Sequence, residues 1–185
     1  MPVRFAIPGD VPGINAIYGP FVTDNAVSFE LEPPSDECMG ERITGTLQQF
    51  PWLVSYSGDR VLGYAYASQY RERAAYQWTV ETTVYVDAQS RRTGIARGLY
   101  QRLFAILRQQ GYYTAYAGIA LPNQGSIALH QALGFESIGI CRAAGYKLGA
   151  WHDVSWWQRP LGNYDSPASP PKPLPQLRTA LGELT

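Results

Sequence analysis

The segment order of this 185-residue chain predicts one α/β (α+β) domain built on a central mixed, largely antiparallel sheet flanked by helices. Three observations carry that reading. Three β-like runs follow one another between Trp52 and Val86, the first two joined by the turn Ser57-Gly58-Asp59-Arg60. Two helical stretches then bracket a short run of small residues, Thr114 to Ala120. Two further β segments follow Phe135.

Taken in order, Val3 to Ile7 reads as an opening strand. Asp10 is placed to cap a helix running to about Val22, with Pro12 tolerated in its first turn. Asn25 to Glu32 reads as a loop or short strand broken by Pro33-Pro34, and Ser35 caps a second helix reaching about Gln49. Trp52 to Tyr56, Val61 to Arg71 and Ala75 to Val86 form an antiparallel meander. Gly94 to Gln110 carries Ile95, Leu99, Leu103 and Ile106 or Leu107 on one stripe, and Gly111 ends that helix. Asn123 starts another, with Ile127, Leu129 and Leu133 apolar, closed by Gly134-Phe135. Strands at about Ser137 to Ala143 and Val154 to Gln158 are joined by a long aromatic loop, Gly145 to Asp153. From about Asn163 the chain is proline-dense and lacks a core pattern. Residues 1–162 are therefore read as the domain and residues 163–185 as an extended or disordered tail.

Composition narrows the function. The formal net charge is zero, so no global field recruits nucleic acid or an anionic membrane. The apolar runs fall short of a membrane span, and the first residues lack the plan of a secretory signal. Cys38 and Cys141 fit no metal or disulfide spacing and read as reduced thiols of a cytoplasmic protein. With two histidines, no metal centre is expected.

The chemistry-bearing stretch is Arg91-Arg92-Thr93-Gly94-Ile95-Ala96, which opens a helix after the β segment Glu81 to Asp87. Gly94 admits a ligand close to the backbone, and Ala96 keeps the first turn free of bulk. The first turn offers unpaired amides and the positive end of the helix dipole, a combination that binds pyrophosphate. It is neither a P-loop nor a dinucleotide fingerprint. Glu81 is an unexpected carboxylate among Trp78, Thr79, Val80, Val84 and Tyr85, where apolar neighbours would raise its pKa to that of a useful base.

The Arg-x-x-Gly-x-Ala loop, the strand before it and the helix–strand–helix order through Phe135 resemble the GNAT acetyltransferase superfamily, whose fold the chain is thus expected to share. That resemblance implies acetyl-CoA as cosubstrate. It also implies a cofactor site of backbone at Val84, Tyr85 and Val86, the loop Arg91, Arg92, Thr93, Gly94, Ile95, Ala96 and Arg97, and Asn123 on the second helix. It makes Glu81 the general base. Many members place a tyrosine before Gly-Phe to protonate the leaving thiolate; this chain has His130 there, with Tyr100 as a second possible donor.

The resemblance is closer still to the phosphinothricin and methionine sulfoximine N-acetyltransferases. It rests on Tyr76 to Val86, Leu121-Pro122-Asn123, Arg142-Ala143-Ala144-Gly145-Tyr146-Lys147 and Trp151-His152-Asp153-Val154. It implies transfer to the α-amino group of a small glutamate- or methionine-like amino acid, with Phe29, Arg73, Ala75, Tyr76 and Val154 lining the pocket. Arg73 would offer a planar fork to acidic oxygens, although it also reads as an exposed loop cation. The family implies a homodimer. Peptide, protein or polyamine acetylation, and a non-catalytic acyl-CoA sensor, are the competing readings. Of Trp151, Trp156 and Trp157, at least two are expected in the core.

Overall fold

The computed structural model describes residues 1–165 and 169–178. A seven-stranded sheet runs β1 (Val3–Phe5), β2 (Trp52–Ser57), β3 (Arg60–Gln69), β4 (Thr79–Val86), β5 (Thr114–Ala120), β7 (Ala150–Pro160) and β6 (Glu136–Lys147). All neighbours are antiparallel except β4 and β5. Helices α1 (Val11–Thr23) and α2 (Asp36–Thr46) cover one face of the first half. Helix α3 (Ile95–Gln110) covers the other, where α4 (Gln124–Ala132) also contributes apolar side chains.

Local chemistry explains most element ends. Ser35 Oγ accepts from the Cys38 amide and starts α2, which stops at Thr46 because the chain turns at 47–49. Asp10 precedes α1, but its carboxylate takes the Arg4 guanidinium at 2.6 and 2.7 Å and the Ile7 amide at 2.8 Å instead of capping the helix. Gly94 (φ 85°) and Gly111 (φ 92°) bound α3 in the left-handed conformation that glycine tolerates. Leu99, Leu103 and Leu107 on its inner stripe are fully buried, each contributing about 1.5–3 kcal/mol.

Two expectations change and one alternative is resolved. Residues 74–76 form a short 3-10 turn, so β4 begins at Thr79 and not at Ala75. Of the two alternatives for Asn25 to Glu32, the loop is the one that forms. The expected aromatic loop from Gly145 to Asp153 is instead a hairpin: β6 and β7 pair down to Lys147↔Ala150 around Leu148-Gly149. Leu148 and Gly149 turn the chain at positive φ, and an irregularity between Cys141 and Gly145 hides the alternation that would have signalled the strands.

The described part of the proline-rich tail lies against the domain. Lys172 N–H donates to the Gln110 carbonyl, and Gln110 Nε2 returns a bond to the Lys172 carbonyl at 2.9 Å. Leu174, at 0 % exposure, enters the core and opens the short helix α5 (Leu174–Arg178). Prolines satisfy the absence of core periodicity noted in the sequence, yet one well-placed leucine suffices to dock the segment. The reading of residues 166–168 and 179–185 lies outside the described residues.

Candidate active site

The site is built on a split between the two parallel strands. Pairing runs Thr79↔Thr114, Val80↔Ala115 and Glu81↔Tyr116, and then ends, although β4 continues to Val86 and β5 to Ala120. From Thr82 onward β4 therefore has strand β3 on one side only. The Tyr116 carbonyl at the last rung accepts from Thr82 Oγ1 at 3.2 Å, which closes the ladder without a further strand pair. Val84, Tyr85 and Val86 lie along the open edge, where the sequence places the cofactor-contacting backbone.

Glu81 sits at that last rung, half-buried. Burial pushes its pKa above the usual carboxylate value, and the Arg71 charge offsets part of the effect. Register puts Tyr116 on the same face as Glu81, with Gly118, Trp156 and Val154 further along. Trp156 and Val154 lie beside Gly118, where an added Cβ would meet them only at ordinary contact distances of 3.5 and 3.6 Å. Tyr70 stacks on Tyr116 with centroids 4.5 Å apart and meets Tyr76 edge-on at 5.7 Å, so the segment after β3 folds back over this face.

Arg73 and Ala75 lie on this segment but are exposed. Arg71, which the sequence reading did not single out, is the cation whose charge acts on the Glu81 carboxyl. Tyr116 was also missed. Tyr116 depends on a pairing across 35 positions, for which no local pattern exists, and Arg71 on the β3–β4 register that brings the end of β3 beside Glu81.

Phe29 forms a separate wall. Its ring covers Gly145 so closely that an added Cβ there would meet it at 2.4 Å, and it lies 6.3 Å from the His152 ring. The neighbouring Ser28 carbonyl accepts from the buried Lys147 Nζ at 2.5 Å, which fastens the α1–α2 connection to the β6–β7 hairpin. Tyr66 lies between these groups: the Glu81 and Glu30 charges both act on its phenol, and burial raises its pKa most of all.

At the open end of the split, Arg91, Arg92, Thr93 and Gly94 are exposed, Ile95 is buried and Ala96 is half-buried. Arg92 adopts φ 61°, Thr93 Oγ1 donates to the Ser90 carbonyl at 2.6 Å, and Arg91 lies over the Phe21 ring. A Cβ at Gly94 would meet nothing within 4 Å, so the glycine serves the backbone turn and leaves open space above it. Asn123 caps α4 through Oδ1, which accepts from the Ser126 amide at 3.1 Å.

Tyr100 and His130 form one buried pair. The Tyr100 hydroxyl lies 3.1 Å from His130 Nε2 and 3.4 Å from the Thr82 carbonyl. His130 is 3 % exposed, and its Nδ1 lies 2.8 Å from the Ser126 carbonyl. Because a carbonyl only accepts, Nδ1 carries the hydrogen and Nε2 accepts from the tyrosine. Burial lowers the His130 pKa and raises that of Tyr100.

Of the three tryptophans, Trp157 is in the core, Trp156 is half-buried on the site face, and Trp151 is 67 % exposed; core packing claims fewer of them than expected.

A fold with one split parallel pair and a glycine-led helix at its mouth defines an acyl-CoA transferase. Residues 3–156 match the acetyltransferase (GNAT) domain family. The chain is 38 % identical over 172 residues to a phosphinothricin N-acetyltransferase of Streptomyces viridochromogenes, covering 93 % of this chain and 92 % of that one. It is 36 % identical over 159 residues to an L-methionine sulfoximine/L-methionine sulfone acetyltransferase of Pseudomonas aeruginosa, covering 84 % and 92 %. A phosphinothricin acetyltransferase from Sinorhizobium meliloti, solved with acetyl-CoA, superposes with a TM-score of 0.86 at 35 % identity, covering 90 % of this chain and 92 % of that one.

The chain belongs to the GNAT acetyltransferase family and is an acetyl-CoA-dependent N-acetyltransferase. Its own residues fit that donor: the split leaves strand backbone open, the Gly94 turn is uncrowded, and arginines flank the free amides of α3. Among the described residues, no helix is long and apolar enough to cross a membrane.

Proposed function

We propose that this enzyme acetylates the α-amino group of a small glutamate- or methionine-like amino acid, such as phosphinothricin, methionine sulfoximine or methionine sulfone, with Glu81 as general base. The observation that carries the reading is the half-buried Glu81 carboxyl, raised in pKa, on the last rung before the strand split. An α-ammonium group must lose a proton before its nitrogen can attack, and a carboxylate made more basic by burial is suited to take it. Acetyl-CoA supplies the acetyl thioester. Val84, Tyr85 and Val86 offer strand backbone beside it, Gly94 to Arg97 and Arg91, Arg92 and Thr93 hold its pyrophosphate, and Asn123 borders the same opening.

Phe29, Tyr76 and Val154 wall the acceptor pocket, Ala75 leaves room at its rim, and Arg73 meets the acidic end of the acceptor. The Arg71 charge beside Glu81 favours an acceptor that carries anionic oxygens over a polyamine. The test is thiol release from acetyl-CoA with a panel of these three compounds, common amino acids, spermidine and a peptide. Turnover confined to the amino-acid analogues supports the reading; turnover on peptide or spermidine alone removes it.

Tyr100 and His130 serve this site chiefly by positioning. The neutral imidazole has no proton on Nε2 to give, and the buried phenol is a weaker acid than the thiol it would have to protonate. Their buried pair packs α3 against α4 behind the split, and the thiolate takes its proton from the reacting nitrogen or from water. Tyr100→Phe should keep kcat within about tenfold of the wild type; a loss of about 10²–10⁴-fold would restore an acid role.

The enzyme acts as a homodimer through β6. That strand is a sheet edge exposed along nearly its whole length, with Ile138, Ile140 and Tyr146 outward and Trp151 of β7 beside them. A long apolar edge without a cover is a pairing surface, and a second copy of the chain covers it.

A further inference from the structure

We propose that a pocket between α3 and α4, lined by Arg97, Gln101, Arg108 and Arg159 over the Phe104 ring, binds a phosphate monoester separately from the pyrophosphate turn at Gly94. The cavity measures about 340 Å³. No acidic residue occurs between Asp87 and Glu136, whereas Arg91, Arg92, Arg97, Arg102 and Arg108 all do. In a chain whose charges cancel overall, this segment concentrates positive charge and is built to meet a polyanion.

The pocket's cations are unanswered from within. The four ion pairs among the described residues are Arg4–Asp10, Arg42–Glu30, Arg60–Asp87 and Arg142–Asp153, and none reaches this pocket. Arg159 lies with its guanidinium 4.7 Å over the Phe104 ring, and its Nε is buried without a hydrogen-bond partner. An orphaned buried donor is uncommon enough to require an explanation. Gly134 adds to the fit, because a Cβ there would press on an Arg159 terminal nitrogen at 3.3 Å. Arg108 donates through Nε to the Leu161 carbonyl at 2.9 Å, which fixes its stem and leaves its two outer nitrogens for a ligand. Burial, and after it the Arg108 charge, lowers the pKa of Arg159, and a bound dianion would relieve that repulsion.

Phosphate oxygens match such forks of guanidinium donors. Arg97 belongs to both sites: its amide is in the first turn of α3, and its side chain lines the pocket. With a rise of about 1.5 Å per residue, Gln101 lies about 6 Å and Arg108 about 16 Å further along the helix, the scale of a nucleotide. The monoester can therefore be the 3′-phosphate of coenzyme A itself or a separate phosphorylated ligand.

Calorimetry and thermal melting separate these sources. Acetyl-CoA and its 3′-dephospho form, adenosine 3′,5′-bisphosphate, adenosine 5′-phosphate and inorganic phosphate would be compared on wild type, Arg159→Gln, Arg108→Gln and Arg159→Lys. If the donor's 3′-phosphate occupies the pocket, acetyl-CoA binds at least about tenfold tighter than the dephospho form, and either glutamine variant abolishes the difference. If a separate monoester binds, the two donors are equal, yet inorganic phosphate raises the melting temperature of wild type and not of Arg159→Gln. Arg159→Lys keeps part of either effect and guards against a folding defect. Equal donors with no phosphate shift overturn the proposal, and that result leaves amino-acid turnover untouched.

Discussion

The two halves of the sheet are treated very differently. Strands β1 to β4 carry helices on both faces and two hydrophobic clusters, with Leu53, Val54 and Ala65 wholly buried. Strands β5 to β7 are packed on one face only, show Tyr116, Val154 and Trp156 on the other, and end in the bare edge β6. The halves meet in a parallel ladder of three rungs. A closed half provides rigidity, an open half provides surface, and Glu81, the proposed general base, stands on the seam where the two meet.

The largest effect should come from the seam itself. Glu81→Gln keeps shape and removes the base, so kcat/KM should fall by about 10²-fold or more with folding intact. The acid limb of kcat/KM should lie above the ordinary carboxylate range because burial raises the Glu81 pKa. Arg71→Gln should move that limb higher still, since the lost charge favoured the carboxylate. Near-normal turnover of the glutamine variant at every pH would take Glu81 out of the mechanism.

A buried position in the closed half comes next. Leu174→Ala should cost about 2–5 kcal/mol in denaturant unfolding, because the leucine fills the core from the tail. A change below about 0.5 kcal/mol would mean that the tail does not dock. At the open edge, Ile140→Lys should leave the monomer folded and shift light-scattering mass from two chains to one, since β6 contributes nothing to the core there. An unchanged mass would move the subunit contact elsewhere.

The smallest effect concerns His130. Its folded pKa lies below the usual 6.5, so the unfolded chain binds that proton more readily. Its contribution to stability is complete above pH 6.5 and is lost as pH falls from 6.5 toward the folded pKa. His130→Asn should flatten the stability profile in that window, and an unchanged slope would show that the ring does not stay neutral.

Local chemistry made much of this legible in the chain alone. The stripe Ile95, Leu99, Leu103, Leu107 between Gly94 and Gly111 specifies α3, and Thr114–Ala120 specifies β5 to the residue. Ser35 and Asn123 mark their helices through side-chain caps, and the glycine-led arginine loop carries the resemblance to the family. Each of these signals is complete within a few residues, because helical periodicity and capping are short-range effects. Asp10 departs from the capping rule because Arg4, six residues earlier, and the Ile7 amide take its carboxylate instead.

Tertiary structure alone decided the rest. The expected loop at 145–153 became a hairpin because β6 and β7 pair down to a two-residue turn at Leu148-Gly149, and the tail gained a place because the Gln49 carbonyl and Gln110 present polar groups to it. Tyr100 and His130, each read as a separate proton donor, met as one buried pair whose protons are committed to each other and to Ser126. Arg159 joined Arg97 and Arg108 across a cavity although 50 residues and more separate it from them in the chain. Contacts of this kind depend on which surfaces folding brings together, and the energy of a buried charge or hydrogen bond is fixed only once water has been excluded around it.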